Sequence, residues 1–498
     1  MPIINKNVIG KPSFLLPSKE LVTLLLALLT LTLWRYNVMS TMSDSITSLY
    51  IDEAQYWFWS QNLDLGFYSK PPVIALIIAA TTSVCGDSET CIRAGSLIIY
   101  PLTTLLIYFS AVFLFNRRIG LVSALVFITL PAVSLSSLVI STDIALFFFW
   151  VLAFYGFIRA LDSNAWHWWL LMGFAGGMGM ESKYTMGIFV FSALAYLLAS
   201  KQFAIFKNPR LWVAALLAFA LWLPNLYWNA QHGYITFVHT SEIAEFEQRL
   251  FHWDELGTFI IGQLLVFGPV FFILFLILSF TQKLKHKALL ISFSWMFLGI
   301  ILLQALFGRA NANWAAPTYI TASILVAAWL LEKNRIRLLT TAITINLALG
   351  ALVYHTEAIF NLAGYELSSK TDLRKRLKGW REIGLHYKAI QAQYPEAILL
   401  GTDRTILSHL VYHARPMTVM TWNAKQKIHH HYDLQGMLKQ PLDKEFLFVT
   451  DKPMTDEIRT TFTTSTKLKD TLAVQVYPNM VREYSVYHLQ GFTGYADQ

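Results

Sequence analysis

Long apolar runs confine what this chain can fold into more than any other feature. About eleven of them, near residues 21–34, 92–115, 121–140, 144–161, 166–180, 186–199, 211–228, 256–280, 288–307, 317–331 and 338–354, are read as bilayer-spanning helices. The composition agrees, since 55% hydrophobic and only 14% charged residues in 498 is a balance that a water-soluble globule of this size could not hide. No small-x-small cleavage site follows the first run, so it is kept as a span and not removed as a signal peptide.

Charge orients these spans. Arg117 and Arg118, then Lys201, Lys207 and Arg210, then Lys283, Lys285 and Lys287, then Lys333, Arg335 and Arg337 fall on every second connection, and Lys6, Lys11 and Lys19 precede the first run. Basic clusters mark the cytoplasmic side, so the N-terminus and these connections are expected there. The opposite connections, 39–91, the turn at Asp143, the turn near Lys183, 229–255, 308–316 and everything after Tyr354, are expected on the outer, periplasmic face of a bacterial inner membrane. The net charge of +8 is thus the signature of topology, because it is scattered between apolar runs and makes no continuous patch for nucleic acid.

The apolar stretch at 71–84 would invert this arrangement if it crossed the membrane. It opens on Pro71-Pro72 and is only about fourteen residues long, so it is read as a re-entrant or interfacial helix. With that loop outside, Cys85 and Cys91 lie in an oxidising compartment, close enough in sequence to close a small disulfide ring; the alternative is two unpaired thiols at a membrane surface. The expected organisation is a polytopic α-helical membrane domain over 1–355, with a first periplasmic loop at 39–91 carrying interfacial helices, and a soluble α/β domain over 356–498. In that last region helix-like LRKRLKGWREIGLHYKAIQ and TILSHLVYHA alternate with strand-like AILLGT and FLFVTD.

The candidate chemistry gathers in the outward connections. In YIDEAQYWFWSQNLDLGFYSKPP, read as a helix from its start, Asp52, Gln55, Tyr56 and Trp59 share one face. Adjacent acids such as Asp52 and Glu53 at a helix N-terminus also serve merely as favourable first-turn charges. Here they precede a run of aromatic residues and Lys70 at a double proline, and a carboxylate and a cation beside the headgroups suit a phosphorylated lipid. Ser141-Thr142-Asp143, Glu181-Ser182-Lys183-Tyr184 and Arg309 with Asn311, Asn313 and Trp314 lie at other outward helix ends, where ionisable groups are costly and default to functional candidates. Asn225, His232 and His239 are further candidate acceptor contacts. The glycines of GFAGGMGM (173–180) are read as close helix packing, and His429-His430-His431 as solvated surface in preference to a metal site.

There is no Walker loop, dinucleotide fingerprint, HExxH motif or DxD pair, so a nucleotide-dependent reaction is not expected. The residues resemble instead the membrane-embedded GT-C glycosyltransferases of the dolichyl-phosphate-mannose protein mannosyltransferase type, and within them the bacterial relatives that include lipid A aminoarabinose transferases. The resemblance spans about the first 360 residues through DEAQYWFWSQ, KPP, STD, SKYT and NWAAP, with Gly379-Trp380 a local cue in the C-terminal region. It implies a GT-C fold and a catalytic acid at Asp52, with Glu53 beside it. It further implies donor-phosphate binding by Lys70, with Lys183 and Arg309 as helpers, and leaves open a divalent ion on the first-loop acids Asp52 and Glu53. Gln55, Tyr56, Asp143, Tyr184, His232 and Asn313 are the candidate substrate contacts. Two positions depart from the aminoarabinose pattern, Ser69 where a Glu precedes that lysine and Gln55 where an Arg follows the acid, and both remove charge from the expected pocket.

The implied reaction is inverting displacement at the anomeric carbon of a polyprenyl-phosphate sugar by a group on lipid A, another glycan or a protein. Protein O-mannosylation and surface-polysaccharide glycosylation would use the same donor type. A lipid-linked sugar flippase is the alternative of another class; it predicts polar residues in mid-span, whereas here the charges gather at span ends.

Overall fold

The computed structural model describes residues 18–44, 47–243, 251–281, 283–416 and 418–495. Lys6 and Lys11 of the orientation argument lie outside the described residues. The chain divides into two compact units: Met1–Asn37, Lys70–Ile74 and Arg93–Tyr354 form one, and Val38–Ser69, Ala75–Ile92 and His355–Gln498 form the other. Most of the connection at 39–91 therefore belongs to the same unit as the C-terminal region.

The first unit is helical. Among the described residues, six helices of the chain are long and apolar enough to cross a membrane: Lys19–Met42, Glu89–Leu114, Thr142–Ser163, Pro209–Gln231, Lys287–Phe307 and Ile336–Tyr354. Trp253–Val266 and Pro269–Thr281 would supply a seventh as a pair bent by 111°. The remaining apolar runs are shorter or broken, for reasons that lie in single residues. The run at 256–280 bends where Gly268 adopts φ +85° and Pro269 opens the next helix. The run at 121–140 splits into Arg117–Ile128 and Pro131–Ser136, with Pro131 starting the second piece. Arg35, fully buried, donates to the Ile128 carbonyl at 2.7 Å, and Tyr354 donates to the Ser134 carbonyl at 2.7 Å, so carbonyls on both sides of the break find donors. Trp166–Met180 and Thr318–Glu332 hold 15 residues each, roughly 22 Å of helix, against about 30 Å of hydrocarbon.

Close packing uses the glycines of 173–180. A Cβ on Gly173 would stand 2.4 Å from the Ala214 carbonyl oxygen, and one on Gly177 would stand 2.8 Å from that of Ala218. The Trp166–Met180 helix is thus pressed against the backbone of Pro209–Gln231.

The second unit contains a mixed sheet. Strands β1 (Ile398–Gly401), β2 (Val419–Thr421), β3 (Leu442–Thr450), β4 (Phe462–Lys467), β5 (Leu472–Tyr477) and β6 (Met480–Phe492) take the order β2-β1-β3-β6-β4, with β5 also pairing β6. β1 runs parallel to both β2 and β3, as an αβ reading expects; β6 then adds antiparallel to β3, β4 and β5. Leu400, Phe446, Phe448, Leu489 and Phe492 form the heart of one core cluster. The expected helix over 373–391 is shorter, because Gly379 turns to φ +85° and the helix begins at Trp380, running to Gln391. A Cβ at Gly379 would meet Val476 at 2.7 Å, so this position needs glycine on two counts.

The histidine run departs from the sequence reading. His429 is exposed, but His430 and His431 are 6% and 2% exposed. His430 caps the short His431–Gly436 helix, and the His431 ring packs against Phe58, Trp59 and Phe67 at 6.1, 5.3 and 5.6 Å. Aromatic residues distant in sequence draw these histidines inward.

Candidate active site

In the second unit the first-loop helix runs from Ile51 to Gln61. Its two leading acids have different fates. Glu53, 1% exposed, turns back to accept the Tyr50 backbone N–H at 2.8 Å and closes a capping box. Asp52 keeps 42% of its side chain exposed. Of the pair, Asp52 has the more exposed carboxylate.

A guanidinium meets it. Arg404 lies at the first position of the Arg404–Ala414 helix, where Asp403 caps by accepting the Ile406 N–H at 3.0 Å. Arg404 donates through Nη2 to one Asp52 oxygen and through Nε to the Gln55 side-chain oxygen. Burial works against its charge, and the Asp52 carboxylate more than offsets that. Tyr56, 4% exposed, packs on Trp59, whose ring stacks on Phe67 at 4.6 Å. Nothing in the motifs singled out Arg404; its only signal was a basic residue following Asp403 at a helix start.

Asp52 and Glu53 were the candidates for a divalent ion. Their hydrogen-bond partners differ, Arg404 for Asp52 and the Tyr50 N–H for Glu53. Among the described residues no group of three or more His, Cys, Asp or Glu is placed to hold a metal.

The same unit forms the Cys85–Cys91 disulfide between the end of the Val73–Cys85 helix and the start of the Glu89–Leu114 helix. Within the ring it closes, Asp87 accepts from Trp57 Nε1 at 2.8 Å and from Arg415 at 3.2 Å, and its carbonyl accepts from the Tyr412 hydroxyl at 3.0 Å. The ring thus fastens the first-loop helix to the Arg404–Ala414 helix. An open cavity of about 540 Å³ adjoins it, lined by Ser88, Glu89, Arg381, His413 and Arg415 among others.

In the first unit three sequence candidates come together. Lys183 Nζ lies 2.6 Å from Asp143 Oδ1, and Asn313 Nδ2 donates to Asp143 Oδ2 at 3.1 Å. The side chains of Lys183 and Asp143 are 18% and 13% exposed, so this is a largely enclosed ion pair at the ends of apolar helices. The STD, SKYT and NWAAP segments therefore converge. Lys70, half-buried, precedes the Val73–Cys85 helix, whose first N–H donates to the Glu181 carbonyl at 3.1 Å. That bond ties the Lys70-Pro71-Pro72 turn to the segment carrying Lys183.

Other candidates have structural commitments. The Tyr184 hydroxyl donates to Asn225 Oδ1 at 2.7 Å and accepts from Asn229 at 3.2 Å, and its ring stacks on Phe237 at 4.7 Å. His232 stacks on Trp228 at 4.0 Å, its Nδ1 2.8 Å from the Trp228 carbonyl. Arg309 is exposed, its backbone carbonyl accepting from Gln304 at 3.2 Å.

Comparison with known proteins finds relatives along most of the chain. A family model described as dolichyl-phosphate-mannose-protein mannosyltransferase matches residues 69–228. The lipid A galacturonosyltransferase RgtD of Rhizobium johnstonii is 31% identical over 445 residues, covering 86% of this chain and 91% of RgtD. The lipopolysaccharide core galacturonosyltransferase RgtA of that organism is 32% identical over 191 residues, covering 36% of this chain and 37% of RgtA. The crystal structure of ArnT from Cupriavidus metallidurans in the apo state covers 94% of this chain and 98% of its own, with a TM-score of 0.61 at 13% identity. The structure of that protein bound to undecaprenyl phosphate gives the same TM-score, 0.61, at 12% identity. At such identity the likeness is one of fold, but the match along nearly all of RgtD is closer: this chain belongs to the dolichyl-phosphate-mannose-protein mannosyltransferase-like family of GT-C membrane glycosyltransferases.

Proposed function

We propose that this chain is an inverting glycosyltransferase that moves a sugar from an undecaprenyl-phosphate-type donor to lipid A or another envelope glycolipid on the outer face of a bacterial inner membrane. The observation that carries the reading is Asp52: a half-exposed carboxylate beside a buried capping glutamate, at the first-loop position where the family carries its acid. The names of RgtD and RgtA, which transfer galacturonic acid to lipid A and to lipopolysaccharide core, support an acidic sugar as cargo.

In the reaction the acceptor oxygen attacks the anomeric carbon as the bond from that carbon to the phosphate oxygen breaks. Asp52 orients the acceptor hydroxyl and takes its proton, a contribution of about 100- to 10,000-fold for general-base assistance. The lipid phosphate leaves as an anion, and Lys70, with Lys183 and Arg309, offsets the growing charge. A phosphate is a competent leaving group without a nucleotide, consistent with a sequence that has no nucleotide motif. Asp143 and Asn313 hold Lys183 in place; Gln55, Tyr56, Tyr184 and His232 shape the surroundings of donor and acceptor. The membrane domain over 1–355 carries donor chemistry, and the region over 356–498 faces the periplasm.

The test is mass spectrometry of lipid A, surface glycans and envelope proteins from cells producing the wild-type chain, cells lacking it, and cells producing Asp52→Asn at matched levels. Loss of one sugar mass from a glycolipid in both mutants is expected. A modification that disappears on deletion but persists fully with Asp52→Asn would instead favour a flippase supplying another enzyme, and a shifted envelope protein would make a protein the acceptor.

A further inference from the structure

We infer that Arg404 reads the carboxylate of the transferred sugar and makes the enzyme selective for a uronic acid; this rests on the transferase reading above. Arg404 opens a helix of 11 residues, at the end where the macrodipole disfavours a cation. Local helix energetics therefore do not explain an arginine there, and its partner lies elsewhere in the fold.

The guanidinium is only partly used. Its Nε serves Gln55 and one Nη2 hydrogen serves a single oxygen of Asp52. Of its five N–H donors, the two on Nη1 and the second on Nη2 have no partner among the described residues. About a third of the side chain, 34%, is exposed. These remaining hydrogens form one edge of a planar fork, the geometry that takes a carboxylate through two parallel bonds. Gln55 matters here because it is neutral: an oxygen acceptor orients Nε without consuming the charge. Of the other nearby acids, Glu53 is turned to the Tyr50 N–H and Asp403 to the Ile406 N–H, so neither competes for the open edge.

In this arrangement the arginine stands between two carboxylates, Asp52 on one side and the sugar's on the other. The sugar carboxylate becomes a handle that sets the anomeric carbon relative to Asp52. A neutral hexose lacks that handle and leaves the fork unpaired. A phosphate could use the same edge, so the donor's lipid phosphate is the rival anion.

The experiment uses the full-length enzyme in detergent or nanodiscs with Arg404→Gln and Arg404→Lys. Two donors of one lipid length are compared, a polyprenyl-phosphate uronic acid and the matching neutral hexose, together with binding of undecaprenyl phosphate alone. The ratio of kcat/KM for uronate over hexose is expected to fall about 10- to 100-fold in both variants, as for loss of a charged hydrogen-bonded pair. Lysine fails too, because an ammonium cannot present two parallel donors while holding Asp52 and Gln55. Undecaprenyl phosphate affinity should stay within about twofold of wild type. Equal loss with both donors leaves Arg404 a positioning residue for Asp52 and overturns the inference while keeping the transferase. A tenfold weakening of undecaprenyl phosphate binding hands the edge to phosphate and also overturns it. Should neither variant fold, the wild type decides: preference for the uronate supports the inference, and a hexose used equally well refutes it. A wild type that transfers neither sugar overturns the transferase reading itself.

Discussion

Replacing Asp143 by Asn tests whether Lys183 is held as a cation by one carboxylate. The two groups are 2.6 Å apart and more than four-fifths enclosed by the fold. At an effective dielectric constant near 20 their gross attraction is roughly 6 kcal/mol, most of it offset by desolvation. Removing one partner leaves an uncompensated charge, and the expected destabilisation is about 3–5 kcal/mol. Replacing both, as Asp143→Asn with Lys183→Met, removes the unpaired charge as well. The double variant should then be about 2–4 kcal/mol more stable than either single variant. The assay is heat-induced loss of the monodisperse species in detergent for wild type, each single variant and the double. Each single variant should melt several degrees lower, and the double should recover most of that loss. If Lys183 also meets the donor phosphate, the double variant regains stability but not transferase activity. Additive losses, with the double less stable than either single, would refute the coupling and make Lys183 a snorkelling lysine with no dependence on Asp143.

Other perturbations test the same architecture. Glu53→Gln should keep transferase activity within several-fold, because its oxygen can still cap Tyr50, whereas Asp52→Asn should lose two to four orders of magnitude; equal losses would return both acids to catalysis. Gly173→Ala should destabilise, since its Cβ would stand 2.4 Å from a backbone oxygen, while Gly176→Ala, 3.6 Å from the Ala218 Cβ, should be tolerated; similar melting temperatures for the two would contradict the packing. Burial, assisted by neighbouring positive charge, holds His413 at about 3, and burial, with His430 adjacent, holds His431 at about 3. Between the folded value near 3 and the ordinary value near 6.5 the unfolded chain binds the extra protons, so stability is lost as pH falls through that window, by roughly 2 kcal/mol per group at pH 5. His431→Phe should therefore flatten the melting temperature between pH 7.5 and 5, and a curve parallel to wild type would assign the acid sensitivity elsewhere.

What was legible in the sequence depended on how local the cause was. Hydropathy located the apolar runs because lipid acts on each residue directly. It overstated their length where one residue decides the path: Gly268-Pro269 and Pro131 break helices inside stretches that are uniformly apolar. The Ser141–Asp143, Ser182–Thr185 and Asn313–Pro317 motifs were visible one by one, and their convergence on the Asp143–Lys183 pair needed the packing of helices distant in sequence. Glu53 looked like half of a catalytic pair, yet its place three residues after Tyr50 is that of a capping glutamate. Arg404 had no motif around it, since its meaning comes from Asp52 and Gln55, some 350 residues earlier. The burial of His430 and His431 was hidden for the same reason.

The grouping of residues 38–69 and 75–92 with His355–Gln498 sets a schedule for biogenesis. The first loop leaves the ribosome some 260 residues ahead of the region it packs with. At about 5–20 residues per second that is a wait of roughly 15 to 50 s. During it Trp57, Phe58 and Trp59 have neither Tyr412 nor His431 and Tyr432 to cover them. Cys85 and Cys91 are only six residues apart, so their ring can close early, before the later half of the unit has been translated. A stop codon after the last apolar helix would therefore strand an aromatic loop without its cover, and quality control would meet that fragment before any substrate did.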